Sequence, residues 1–269
     1  AGATIVGEFT GLTVTGLTEA VRVLPRSYAM YRRLIAAARE RKPDVFVAID
    51  FPDFNFYLMV ALRRLGVPIV YYVSPQLWAW RPGRMRTMRR FVDKVLVIFP
   101  FEVPLYEQAG IPVQCVGHPL VDFSRSRQTR SVFLSDQGLA PDVPVVALLP
   151  GSRPNEVRRI APGLAAAIPL IRERVPGAQF LVAGAPGLPP GLFAPLLTPG
   201  VVLVHDRTGE VLAASDVVIT ASGTATVQAA LHERPMVVVY RVSSLTYRLG
   251  KPFLKVDTYA MPNLIAGRR

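Results

Sequence analysis

Short apolar runs rich in β-branched residues recur along the chain, and segments of helical period separate them. Val45–Ile49, Ile69–Val73, Val95–Phe99, Val113–Val116, Val145–Leu149, Gln179–Val182, Val201–Val204, Val217–Thr220 and Met236–Tyr240 read as strands. Helices are expected over roughly 27–41, 55–65, 83–91, 102–109, 155–175, 208–214 and 224–233. Continuous apolar strands alternating with helices predict parallel sheets covered on both faces. The polar stretch Asp122 to Asp142 interrupts this alternation and reads as a linker. The expected organisation is therefore an α/β domain over 1–123, a linker over 124–142 and a second α/β domain over 143–269, with a cleft between the domains. Ligands of such sheets bind at the carboxyl ends of the strands.

Composition narrows this picture. With 269 residues, 51% of them hydrophobic, and a mean hydropathy of +0.32, the chain can bury a sizeable core. No run approaches the eighteen or so apolar residues that would span a bilayer. The single Cys115 excludes an intrachain disulfide and suits a reducing compartment. The chain starts at Ala1 in mid-pattern and stops after Gly267-Arg268-Arg269, so it is expected to be part of a longer product. Its net charge of +12 is uneven: residues 22–90 hold 14 Lys and Arg against 4 acids. Between Leu12 and Ile35 many apolar residues lie among Arg22, Arg26, Arg32 and Arg33. That pattern fits docking to an anionic membrane surface, or an amphipathic helix facing the core. Nucleic acid is not expected as a partner, because no zinc-finger, RNP or helix-turn-helix pattern is present.

The unusual residues gather at strand ends. Ala221-Ser222-Gly223-Thr224-Ala225-Thr226-Val227-Gln228 joins a strand to a helix. It reads as a phosphate or diphosphate site, with backbone N–H groups, Gly223 for close approach and hydroxyls from Ser222, Thr224 and Thr226. It reads equally as a plain turn with a Ser/Thr cap. Gly151-Ser152-Arg153, with Glu156 three on, repeats the anion-site logic and adds a guanidinium, although Ser152 and Glu156 also match a helix cap. Asp50 stands at a strand tip, where an acid can accept a proton from a hydroxyl. Asp53 and Asn55 follow at a helix start and have a capping explanation as well. Trp78 and Trp80, the chain's two tryptophans, fall on one loop and suit either stacking on a sugar or plugging a surface. His118, between Gly117 and Pro119, is a candidate ligand contact, whereas His205 and His232 have no such setting. A P-loop, a Gly-x-Gly-x-x-Gly fingerprint, a Gly-x-Ser-x-Gly elbow and a zinc cage are all missing from the pattern.

Taken together, these motifs resemble the lipid-A-disaccharide synthase family, inverting glycosyltransferases of GT-B architecture with two Rossmann-like domains. The matching pieces are Val47 to Asn55, Tyr72 to Arg81, Phe99-Pro100-Phe101-Glu102, Gly117-His118-Pro119, Leu149 to Val157, Ala221 to Thr226 and Pro262 to Arg268. They occur in the family's order across almost the whole chain. The resemblance implies transfer of 2,3-diacylglucosamine from UDP to 2,3-diacylglucosamine 1-phosphate (lipid X), giving a β(1→6) disaccharide and UDP. It implies Asp50 as general base, Arg153 on the UDP diphosphate and Asn263 as a further functional position. The Ser222–Thr226 loop would hold the nucleotide phosphates, and no metal or other cofactor is implied. Acylated substrates also imply a peripheral position on the cytoplasmic face of the inner membrane.

Other readings are a UDP-sugar transferase or epimerase with a soluble substrate, and a non-catalytic basic membrane- or nucleic-acid-binding protein. The family's Gly-Glu-x-Ser-Gly-Asp segment and its final helices do not occur here, so the first domain is expected to be incomplete at its start and the second at its end. Gln228 stands where family members commonly carry a Glu that holds the ribose, which implies weakened donor affinity.

Overall fold

A computed structural model describes residues 4–7, 17–78, 81–241 and 261–266. The chain divides into two compact units, Ala1–His118 and Pro119–Arg269.

In the first unit, α1 (Leu17–Arg41) precedes β1 (Phe46–Ile49), α2 (Pro52–Arg64), β2 (Ile69–Tyr72), α3 (Met85–Phe91), β3 (Lys94–Val97), α4 (Val103–Gln108) and β4 (Val113–Cys115). The four strands are parallel and lie in sequential order, β1-β2-β3-β4. Right-handed crossovers that always step in one direction place their helices on one face. That face carries Ala48, Ile69, Tyr71, Val95 and Val97, buried against Ile35 of α1, Met59 of α2, Met88 of α3 and Tyr106 of α4. The opposite face leaves Val47 45% and Ile49 57% exposed, so coverage of both faces, expected from the sequence, is not what this unit shows among the described residues.

The second unit does have two covered faces. It contains α5 (Leu120–Phe123), α6 (Arg130–Asp136), β5 (Val145–Leu149), α7 (Pro154–Arg174), β6 (Gln179–Gly184), β7 (Val201–His205), α8 (Thr208–Ala214), β8 (Val217–Ala221), α9 (Thr224–Leu231), β9 (Met236–Val239) and α10 (Met261–Ala266). The parallel strand order is β7-β6-β5-β8-β9. The chain winds outward from β5 in one direction and then reverses to β8, so helices fall on both sides. One core joins Ala147 and Leu181 to Phe133, Leu134 and Leu212; the other joins Leu148 and Phe180 to Ile160, Leu164 and Phe193. The reversal leaves a crevice between the carboxyl ends of β5 and β8, where ligands of doubly wound sheets bind.

Residues 124–142 are not featureless. They hold α6, whose Phe133 and Leu134 are fully buried in the second unit's core.

Candidate functional site

The cavity of the second unit, about 600 Å³, lies at that reversal point. Its size is in the range of small-molecule sites. Gly151 and Ser152 after β5, Ala185 and Pro186 after β6, Asp206 after β7, and Ser222 to Ala225 after β8 line it, with Gln228 on α9. Arg125, Arg127 and Arg207 add three guanidinium groups to the same wall.

The two loops differ in what they offer an anion. At the start of α7 the Glu156 carboxylate already accepts the Ser152 N–H at 3.0 Å and pairs with Arg153 at 3.0 Å. A Cβ on Gly151 (φ 131°) would meet the Glu156 Cβ at 2.6 Å, so only glycine fits beneath that carboxylate. This helix start is therefore satisfied by the protein's own acid. At the start of α9 the cap residue is Gly223, with φ 156° and ψ −160°, a conformation almost restricted to glycine. Gly223 has no side chain with which to cap that helix, and a Cβ on it would meet nothing within 4 Å. The Ser/Thr-capped turn is thus not what is built. Thr226 is buried and donates its hydroxyl to the Gly223 carbonyl at 2.7 Å, which removes it from the lining. The favourable end of the helix dipole and the open backbone belong to the α9 loop.

Arg207 is held for its place. Its guanidinium lies over the Phe133 ring at 4.8 Å, donates to Gln128 and stands 3.7 Å from Glu210. Phe133 and Gln128 come from the stretch read as a linker, so that stretch forms part of the cavity's support. Arg153 lies outside the lining: it is 53% exposed and paired with Glu156. Asn263 is half-buried on α10, which packs on α9, and also lies outside the lining.

The first unit gathers its own cluster at the ends of β1 and β2. Asp50 and Phe51 have φ values of 44° and 43°, two successive non-glycine residues in the left-handed region. The Asp50 carbonyl is clamped by the Asn55 side-chain amide at 2.7 Å and by the Tyr71 hydroxyl at 2.8 Å. Burial, reinforced by the Asp50 charge, pushes the Tyr71 phenol well above its ordinary range, so it stays protonated and keeps a proton to donate to the Asp50 carbonyl. The Asp50 carboxylate is exposed and accepts no hydrogen bond among the described residues. Neither Asp53 nor Asn55 caps α2, contrary to the sequence reading. Asn55 is buried and reaches back to the strand end, while Asp53 accepts from Arg81 at 2.8 Å and Arg84 at 2.6 Å.

Trp78 is half-buried. Its indole N–H donates to Glu102 at 3.4 Å, and its edge meets Phe101 at 5.4 Å. Phe101 stacks on Phe99, and Phe99 lies 5.6 Å from the His118 ring. Desolvation lowers the His118 pKa and favours its neutral form. Glu102 is buried, with its pKa raised by that burial, and also accepts from Ser74 at 3.0 Å. One carboxylate thus fixes the loop that carries Trp78. Trp80 lies outside the described residues.

Four of the non-glycine residues with positive φ, Asp50, Phe51, Val73 and Arg81, stand at or after the ends of β1 and β2, and a fifth, Asp206, lines the cavity of the second unit. Strain of this kind concentrates at functional sites. No group of acids, histidines and cysteines with metal-site geometry occurs among the described residues, and no helix among them is long and apolar enough to cross a membrane.

A family model described as lipid-A-disaccharide synthetase matches residues 1–269. The lipid-A-disaccharide synthase of Myxococcus xanthus is 44% identical over 96% of this chain and 68% of its own length. Those of Geobacter sulfurreducens and Alkalilimnicola ehrlichii are 42% and 46% identical, over 100% and 95% of this chain and 71% and 69% of their own lengths. Among solved structures, the UDP-GlcNAc 2-epimerase of Neisseria meningitidis bound to UDP-GlcNAc has a TM-score of 0.60 at 14% identity, covering 94% of this chain and 73% of its own. A Staphylococcus aureus MnaA–UDP structure has a TM-score of 0.60 at 13% identity, covering 95% and 71%. At such identity these structures bear on the fold, which is of GT-B type.

Proposed function

The chain belongs to the lipid-A-disaccharide synthetase family, and from that premise we propose that it transfers 2,3-diacylglucosamine from UDP to 2,3-diacylglucosamine 1-phosphate. The observation that carries the reading is the cavity at the reversal point of the second unit, with an open helix start on one side and three arginines around it. In our reading UDP sits there: its diphosphate on the Ser222–Ala225 loop with Arg125, Arg127 and Arg207, and its ribose near Gln228. Arg153 joins the diphosphate by exchanging its pairing with Glu156 for a phosphate oxygen.

The chemistry then follows from charge. Asp50 takes the proton of the acceptor's 6-hydroxyl as that oxygen bonds to the anomeric carbon of the donor. The bond from that carbon to the UDP oxygen breaks, and the departing diphosphate carries the electron pair. Donors already aimed at that oxygen lower the barrier, because they stabilise charge that develops only as the bond breaks. The protonated Asp50 returns its proton to water. Asn263, Trp78, Trp80 and His118 are assigned to acceptor and acyl-sugar contacts, with the neutral His118 acting as a hydrogen-bonding rather than a charged partner.

A membrane-surface position is part of the same proposal. Leu24 and Tyr28 are 62% and 63% exposed on α1, beside the exposed Arg26, Arg32 and Arg33. The same helix buries Ile35, so its core-facing side and its basic apolar side are both present. Residues 14–16, and the side chains of 17–23, lie outside the described residues.

The test is a melting curve with UDP, CDP and AMP at equal concentration. UDP should raise the melting temperature by several degrees and the other two by less, since a ligand stabilises in proportion to its occupancy of the folded state. Equal shifts for all three would sink the nucleotide assignment. Gln228→Glu should raise UDP affinity several-fold, because a carboxylate makes a stronger, charge-assisted bond to a ribose hydroxyl. An unchanged dissociation constant would remove Gln228 from the site.

A further inference from the structure

Arg81, Arg84 and Asp53 form a cluster that the transfer chemistry does not use. Resting on the proposed function, we infer that the two guanidinium groups bind the phosphomonoester of the acceptor, while Asp50 engages the hydroxyl at the other end of the same sugar. Both arginines donate to one oxygen, Oδ1 of Asp53, through a single N–H each. A guanidinium has five N–H donors, so most remain for a ligand. The triad keeps a net charge of +1, and no other acid pairs with either arginine among the described residues.

Stability does not account for this arrangement. Asp53 is 71% exposed and Arg81 62%, and exposed pairs contribute little. Arg81 nevertheless holds φ 50°, a strained value for a side-chain-bearing residue, at the start of the turn Pro82–Arg84. Arg84 is only 24% exposed, with its guanidinium 4.8 Å from the Phe56 ring centroid, so its head group is fixed before any ligand arrives. One guanidinium fork held in place, with a second joined to it through the shared Asp53 oxygen, suits bidentate phosphate recognition. Position completes the argument. Asp53 follows Asp50 by three residues, a span of at most about 11 Å, which is the scale of one substituted sugar.

A phosphate could also come from a membrane lipid or from solution, so binding is measured with four probes: lipid X, its dephosphorylated form, inorganic phosphate and phosphatidylglycerol vesicles. Wild-type protein should bind lipid X roughly ten- to a hundredfold more tightly than the dephosphorylated glycolipid, on the scale of one or two charge-assisted bonds. Arg84→Gln and Arg81→Gln should each weaken lipid X by about tenfold and leave the dephosphorylated glycolipid unchanged, with Arg84→Lys restoring part of the loss. Arg81→Gln serves if Arg84→Gln does not fold, because Arg81 lies at the surface. Equal binding of the two glycolipids by wild type, equal losses for both in the variants, or loss confined to inorganic phosphate or to the vesicles would each overturn the proposal. Phosphate-dependent binding without any transfer from the UDP donor would instead uphold this site and count against the proposed reaction.

Discussion

Asp50→Asn should leave UDP affinity unchanged and lower turnover by roughly two orders of magnitude or more, the scale of a missing general base. The substitution is selective for physical reasons. The left-handed backbone at position 50 is one that Asn tolerates better than most residues. What holds the strand end is the Asp50 carbonyl, clamped by Asn55 and Tyr71, and that carbonyl is untouched. The carboxylate itself is exposed and, among the described residues, accepts no hydrogen bond whose loss would unsettle the fold. The proposed nucleotide cavity is lined wholly by residues of the second unit, so UDP binding reports independently that the protein is intact. Turnover is read from UDP release with both acylated substrates at saturation. A rate within tenfold of wild type would remove Asp50 from the proton transfer.

Much of the fold is legible because buried parallel strands are apolar on both faces, and all nine expected strands occur within a residue or two of their predicted bounds. Strand order is not written locally. The one-sided sheet of the first unit and the reversal in the second follow from where each crossover goes, and no window of sequence carries that. α6 escapes notice because seven residues with two buried apolar side chains give no measurable period. Its neighbours Arg125 and Arg127 look like linker charge until the fold brings them to the cavity beside Arg207. No local pattern distinguishes a cavity arginine from a solvated one.

The Gly151 and Ser222 loops are both visible as small-residue turns at helix starts. Only the folded chain separates them, because Glu156 folds back onto Ser152 at one helix start, while the cap residue of α9 is a glycine with no side chain to offer. Asn55 teaches the same lesson. A polar residue near a helix start suggests a cap, yet its amide crosses to the preceding strand, a contact set by how α2 docks on β1.

Arg130→Ala should cost the second unit about 3 kcal/mol, lowering its melting temperature by roughly 6–12 °C, and should weaken UDP as well. Arg130 forms two parallel bonds to Asp216, at 2.9 and 2.8 Å, and donates to the Ala214 carbonyl at 2.8 Å and the Val143 carbonyl at 3.2 Å. Asp216 in turn accepts the Val145 N–H at 2.8 Å. One guanidinium therefore ties α6 to the starts of β5 and β8. With Arg130 30% and Asp216 47% exposed, water recovers part of each bond, which keeps the cost below a simple sum. Arg158→Ala is the comparison: its exposed bond to Asn155 should be worth at most about 0.5 kcal/mol. Equal melting shifts in the two variants would refute the tie. The link to UDP runs through Phe133, which α6 places under Arg207 in the cavity wall. Acid gives a second readout. Desolvation alone would raise the Asp216 pKa, but the bonds from Arg130 and Val145 outweigh it and hold the value below 3.8. A carboxylate depressed in the folded state stabilises fully above its unfolded pKa, and that contribution disappears as pH falls through the folded value. Wild type should therefore lose this contribution only below about pH 4, whereas Asp216→Asn should be less stable at neutral pH and show a flatter dependence in that acid range.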